Sequence, residues 1–327
     1  MAFLARYAEN LYWLARYIER TASLASLIEI HMSYDRGRDA DVSWEWLVKL
    51  HSDEERFAES YDDPSFDNVI RFYVADLQNP GSVRSALRSA RENARALRAV
   101  IPTEMWIQIN QFHNRLRLLS ESDLHPIRLS RFCEQIKNGC YAQVGVAEST
   151  LYRDEGWRFF RLGLMIERAD QTSRMLDVKF AQLETGDELL RQIADATFWS
   201  LVLRSACAYQ SFHRFEQRGA EANRVAKFLL TNGSHPRSVA YAVGQIQMQL
   251  GELNSGYGLP RISAAEQQNK SIAAILQQVE ADPNVAANLH GYNDQLQRGL
   301  IELSSGLGTM FFGYPLPEKQ FQSQSQS

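Results

Sequence analysis

An all-α fold, a bundle of roughly ten or more helices, is predicted by three features of this 327-residue chain. Apolar residues recur three and four apart almost throughout, which is the spacing of one helical face. No stretch alternates with period two for long enough to make a strand. Pro, Gly, Asn and Asp recur between the periodic runs, where they break or cap helices.

The first helix is predicted at about Phe3 to Ser33. Leu11, Leu14, Ile18, Ala22 and Ala25 form its apolar stripe. Arg6, Glu9, Asn10, Trp13 and Arg20 fall opposite, with Arg16 and Tyr17 at the margins. A Trp among so many polar groups predicts that another part of the chain covers this face. A charged loop, Asp35 to Asp41, leads to helices at Trp44–Leu50, Asp53–Tyr61 and Asp67–Asp76. Asn79-Pro80-Gly81-Ser82 is a turn, and Ser82 is a suitable N-cap for a helix running to about Val100. Pro102 stops that helix, and Thr103 is the expected cap of Glu104–Ser120. A long helix is expected at Leu129–Leu151. Another follows Asp154-Glu155-Gly156 and reaches Leu183 before Gly186 breaks it. Glu188–Glu216 reads as a helix pair or one bent helix. Glu221–Thr231 and Pro236–Asn254 follow, then a turn at Gly256-Tyr257-Gly258-Leu259-Pro260. Ile262–Val279 and Asn284–Gly306 close a single domain expected over residues 1–317. The polar tail, 318–327, has the composition of a disordered segment.

Apolar residues make up 45% and charged residues 23%, a globular balance, and a net charge of −4 gives no reason to expect nucleic acid as a ligand. The first helix is interrupted by Arg16, Glu19 and Arg20, so it reads as neither a signal peptide nor a membrane span. Cys133, Cys140 and Cys207 lack metal-site spacing and leave one cysteine unpaired in any disulfide scheme, which fits a reducing, cytoplasmic setting.

Two helices carry the same signature about half the chain apart: Ala15-Arg16-Tyr17-Ile18-Glu19-Arg20 and Gly163-Leu164-Met165-Ile166-Glu167-Arg168. Each sets a small residue about one turn before an Ile-Glu-Arg step. The match suggests two related helical halves, or two helices meeting at one polar centre. Arg6, Glu9, Asn10, Trp13, Arg16, Glu19 and Arg20 form the first charged constellation. It would be a ligand site, since arginine offers a planar fork for oxyanions and Glu can serve as a base, or an ion-pair network that sets helix register. The second is Arg84, Arg88, Arg91, Arg95 and Arg98 on one helix face, with Glu92 and Asn93 beside them. A phosphate, a polyanion or an acidic partner surface would explain it, as would a solvated face paired with Asp62, Asp63 and Asp67. Trp106 and Asn110 on the next helix read as packing and capping residues. The third is Arg161, Glu167, Arg168 and Asp170. Asp170 abuts the apolar face and needs an arginine partner, with Arg168, Arg174, Arg16 and Arg20 as candidates. The fourth is Arg204, Tyr209 and the junction before Pro236, where a helix N-terminus beside Arg237 could hold an anion or simply be a capped junction.

Walker A, dinucleotide-binding and nucleophile-elbow motifs are missing, as is Glu-x-x-His. No cofactor and no metal site is expected.

In order, Ala8-Glu9-Asn10-Leu11-Tyr12-Trp13 with Arg16-Tyr17-Ile18-Glu19-Arg20, then Ala90-Arg91-Glu92-Asn93-Ala94-Arg95, then Glu167-Arg168-Ala169-Asp170, then Leu203-Arg204-Ser205 with Tyr209, then Pro236-Arg237-Ser238-Val239 resemble the blocks of the bacterial alpha-E proteins. The resemblance spans about the first 310 residues, with Thr21 departing from the pattern. It implies company with ATP-grasp-type proteins and transglutaminase-like peptidases, hence peptide or amide-bond synthesis and modification, with ATP bound by the partner. Three readings follow. In the first the chain is an accessory protein that positions a peptide or carboxylate substrate, with Arg91, Arg95 and Arg204 holding it. In the second it is an enzyme using Glu9, Glu19 and Glu167 as acid and base in amide transfer or hydrolysis. In the third it is a purely structural bundle whose Glu-Arg pairs set register.

Overall fold

A computed structural model describes residues 2–35, 44–184, 188–216, 219–257 and 262–315. These form fourteen α-helices and, among the described residues, no strand. The long helices are α1 (Ala2–Asp35), α5 (Val83–Ala96), α6 (Thr103–Arg117), α7 (Pro126–Thr150), α8 (Glu155–Glu184), α9 (Glu188–Ser205), α12 (Val239–Tyr257), α13 (Ile262–Ala281) and α14 (Val285–Leu307). Shorter helices are α2 (Glu45–His51), α3 (Glu54–Ala58), α4 (Phe66–Ile70), α10 (Tyr209–Phe215) and α11 (Ala222–Thr231). A π turn, Arg71–Ala75, extends α4, and another, Gly308–Phe312, follows α14.

Two rings of four helices account for the architecture. In the first, α1 packs on α5 and α7, and α6 closes the ring between them; in the second, α8 packs on α12 and α14, and α13 closes it. The order of helices along the chain is the same in both. The rings join through α1 and α8. Tyr12 lies against Gly163, Arg16 against Glu167 and Glu19 against Arg168, a nearly constant offset, so the two helices run parallel. The predicted stripe of α1, Leu11 through Ala25, is wholly buried, and so are Ala15 and Glu19 beside it; on the opposite face Glu9, Asn10, Trp13 and Arg20 are half-buried and Arg6 is exposed. This central helix is therefore enclosed on most sides, and Glu9, Trp13, Arg16 and Arg20 find polar partners on other elements.

Several boundaries differ from expectation for local reasons. Ser82 caps α5 as predicted, accepting from the Ser85 amide at 3.1 Å, but α5 ends at Ala96 and turns carry the chain to Pro102. Pro102, not a hydroxyl residue, holds the N-cap position of α6, and Thr103 is its first helical residue. α7 starts at Pro126, with His125 rather than a residue near Leu129 at its cap. Asp53 leads α3 without capping it; its carboxylate accepts from Tyr73 and Arg56 instead. The Asp67–Asp76 stretch divides into α4 and its π turn. Glu188–Glu216 is a helix pair, α9 and α10, divided at Cys207, which adopts a positive φ of 52°. Helix α12 begins at Val239, not Pro236, because Ser238 caps it by accepting from the Tyr241 amide at 3.1 Å. It also runs through Gly256 to Tyr257. The predicted loop at 35–41 beyond Asp35, the break at Gly186, the rest of the Gly-rich turn and the tail at 318–327 lie outside the described residues.

Candidate functional site

The two signature helices meet in a reciprocal exchange of ion pairs. Arg20 of α1 grips Glu167 of α8 with two bonds, Nε to Oε1 at 2.6 Å and Nη2 to Oε2 at 3.0 Å. Arg168 of α8 grips Glu19 of α1 the same way, Nε to Oε1 at 2.9 Å and Nη2 to Oε2 at 2.8 Å. Each Glu-Arg step thus supplies the carboxylate for the other's guanidinium, the bidentate geometry that arginine favours. The helices can come this close because Gly163 has no side chain. A Cβ there would lie 2.2 Å from the Tyr12 carbonyl oxygen.

Each carboxylate has a second arginine, and here the halves diverge. Glu167 takes Arg16, whose Nε donates to Oε2 at 2.8 Å. Arg16 Nη1 continues to Ser304 of α14 at 2.8 Å and Tyr12 Oη at 3.1 Å. The residue of α8 that matches Arg16 is Leu164, so Glu19 takes its second arginine from elsewhere: Arg237, at 3.2 Å. The carboxylate side chains of Glu167 and Glu19 are 0% and 3% exposed.

Burial alone would raise both carboxyl pKa values, but the neighbouring arginines outweigh it. Arg20 and Arg16 hold Glu167 at about 2. Arg168 and Arg237 hold Glu19 below its ordinary value. Carboxylates so fixed as anions are poor proton carriers near neutrality. The sign for stability follows: a depressed folded pKa gives stabilisation that is complete above the ordinary carboxyl value of 4.5 and is lost as pH falls toward 2. Urea midpoints measured from pH 7 to 2 should therefore fall mainly below 4.5, and less steeply in a Glu167→Gln variant. Parallel curves for the two proteins would refute this.

The other predicted residues spread widely. Glu9 accepts from Tyr314 Oη at 2.7 Å, and Trp13 Nε1 donates to the same oxygen at 2.8 Å, which ties α1 to the segment after α14. Arg6 is exposed, and neither its side chain nor that of Asn10 makes a hydrogen bond among the described residues. Asp170 finds its partner on its own helix, Arg174 Nε at 2.9 Å. Arg161 reaches Glu148 and Gln245. Arg204 is exposed and lies over the Tyr209 ring at 4.1 Å. Arg237 is not part of an anion site at a helix N-terminus; it precedes the helix and points back to Glu19.

On α5, Arg91 donates to Asn110 at 2.8 Å and Glu92 at 2.7 Å and stands over Trp106, so Asn110 is an arginine ligand rather than a cap. Arg95 pairs with Glu92 at 2.6 Å, Arg98 covers Trp106, and the Asn93 side chain makes no hydrogen bond among the described residues. Arg84, Arg88, Arg91 and Arg117 line a cavity of about 320 Å³ between α5 and α6. Among the described residues Arg84, Arg88 and Arg117 pair with no carboxylate, Asp62, Asp63 and Asp67 included.

A second cavity, about 310 Å³, opens beside Arg20 and is lined by His51, Asp53, Arg56, Asp170 and Arg174. Burial first, and the charges of Arg20 and Arg174 next, push His51 down to about 3, so its ring is neutral. Motif reading missed His51, Asp53 and Arg56, because α2 and α3 share no pattern with the signature helices. One signal in the sequence does point here: Pro80-Gly81-Ser82-Val83 before α5 repeats as Pro236-Arg237-Ser238-Val239 before α12. Both serines cap their helix, and both donate to a carbonyl six residues back, Ser82 to Asp76 and Ser238 to Asn232.

Among the described residues no cluster of His, Cys, Asp and Glu could hold a metal ion, and no helix is long and apolar enough to cross a membrane. A family model described as a predicted alpha-helical domain with a conserved ER motif matches residues 3–312. No curated protein and no solved structure matches the chain.

Proposed function

The chain belongs to the Alpha-E family, and from that premise we propose that it is a non-catalytic helical module working with an ATP-grasp-type ligase in peptide or amide-bond synthesis or modification. One observation carries the non-catalytic half of this reading. Both signature carboxylates are buried and closed by two guanidinia each, leaving neither free to take a proton from a substrate. The motif then acts as a clamp between the two rings, and function moves to surfaces that the clamp holds in place. The unpaired arginines of the α5–α6 cavity supply such a surface, suited to an acidic face of the ligase. ATP would be bound by that partner, and a transglutaminase-like peptidase would act on the same peptide.

The test is co-purification and ligase turnover. The chain should bind an ATP-grasp protein and raise its ATP-dependent amide formation, and Arg84→Glu with Arg88→Glu should weaken binding by about tenfold or more, most of it at low salt. A chain that neither binds nor changes the rate of any ATP-grasp protein would sink the reading. Amide turnover by the chain alone, lost in Glu19→Gln, would replace it with the enzyme.

A further inference from the structure

The two Pro-x-Ser-Val junctions differ at one position, and that difference coincides with the cavity beside Arg20. At the second junction Arg237 fills the space with its own side chain and reaches Glu19, while Arg168 donates to the Pro236 carbonyl at 3.2 Å. At the first junction the matching residue is Gly81. Here Pro80, Gly81 and Arg20 border an open volume of about 310 Å³. Ligand pockets begin at about 300 Å³, so the space suits a small molecule. The first ring leaves empty what the second fills from within.

The lining is charged and incompletely bonded. The guanidinia of Arg20, Arg56 and Arg174 line it with the carboxylates of Asp53 and Asp170, and the buried Arg16–Glu167 pair behind Arg20 adds no net charge, which leaves one positive charge over. Arg20 uses Nε and Nη2 on Glu167, and Arg174 uses Nε on Asp170. Arg20 Nη1 and both terminal nitrogens of Arg174 have no acceptor among the described residues. Gln171, 6% exposed, gives its amide N–H to Glu167 Oε1 at 3.1 Å, and its own Oε1 is buried without a donor. His51 Nε2 is likewise buried and unbonded. Buried polar atoms in folded proteins are nearly always bonded. This cavity therefore lacks both an acceptor for guanidinium N–H groups and a donor for a buried amide oxygen.

We propose that the cavity binds a free acidic α-amino acid, with carboxylate on Arg20 and Arg174 and its ammonium on Gln171 Oε1. A zwitterion supplies donor and acceptor in one small molecule, and the second carboxylate balances the residual positive charge. The site goes beyond the accessory reading and stands without it. If both hold, acidic amino acids are the substrate class.

Calorimetric titration of the purified full chain with L-glutamate, in the absence of any ligase, tests this. Saturable binding is expected. Glutarate, which keeps both carboxylates and lacks the ammonium, should bind about tenfold more weakly, and inorganic phosphate should not compete. Gly81→Arg, which recreates the second junction in the first, should abolish binding with an unchanged or higher Tm. Its Cβ would lie 3.2 Å from Asn79 Oδ1, a contact that a small shift relieves. Gln171→Leu, followed by melting in parallel, should erase the preference of glutamate over glutarate if Gly81→Arg fails to fold. No saturable binding of L-glutamate, equal binding of glutarate or phosphate, or full binding by a folded Gly81→Arg chain would each overturn the proposal. A failed titration would leave partner binding untouched, and a failed co-purification would leave the titration untouched.

Discussion

Replacing Glu167 with glutamine should lower folding stability by about 3–5 kcal/mol, the range for removing one partner of a buried ion pair. The substitution keeps the volume and removes the charge, leaving Arg16 and Arg20 facing each other across a neutral amide. Glu19→Gln should be comparable, since Arg168 and Arg237 are left in the same position. The measurement is urea unfolding, with a lower midpoint at unchanged slope. A double-mutant cycle with Arg20→Gln should then return a coupling of about 0.5–3 kcal/mol, because the two side chains share two hydrogen bonds. A change below 1 kcal/mol in both single variants would mean that the clamp is dispensable to the fold, and the carboxylates would again be candidates for chemistry.

Gly163→Ala should be about as damaging through a different mechanism. The added Cβ would meet the Tyr12 carbonyl oxygen at 2.2 Å, its carbon at 2.9 Å and its Cα at 3.1 Å, all backbone atoms that no rotamer change can move. The helices must separate, which strains packing by about 1–3 kcal/mol or more and stretches the Arg–Glu bonds beside the crossing. Gly145→Ala is the control. It lies in α7, a Cβ there meets nothing within 4 Å, and removing glycine from a helix should stabilise by about 0.5–1 kcal/mol. If the two alanine variants melt alike, the close approach of α1 and α8 is not what positions the clamp.

The period of three to four made the helices readable, and Ser82 and the helix ending near Thr231 were placed by local chemistry alone. The matched Ile-Glu-Arg steps pointed to a shared centre because a repeat survives as spacing even when other residues have drifted. Partners were less readable. Asp170 could have taken any of four arginines, and the choice of Arg174 depends on geometry within one turn. Arg237 as the second ligand of Glu19 is a contact between a junction loop and a helix from the other ring, and no periodicity carries such information. His51, Asp53 and Arg56 reach the cavity from two short helices and the residue between them, positioned by packing on α8 and neighbouring turns rather than by their own pattern.

The reciprocal clamp also bears on how the chain is made. Glu19 and Arg20 emerge early in synthesis, and their partners lie about half the protein later. At typical ribosome speeds that delay is roughly 7–30 s. For that interval Arg16 and Arg20 lack Glu167 and Glu19 lacks Arg168, so the buried polar centre has none of its native ion pairs. Completion must wait for α8, and Glu19 waits longer still, until Arg237 follows. The polar centre is thus completed last, by residues that only the second half of the chain supplies.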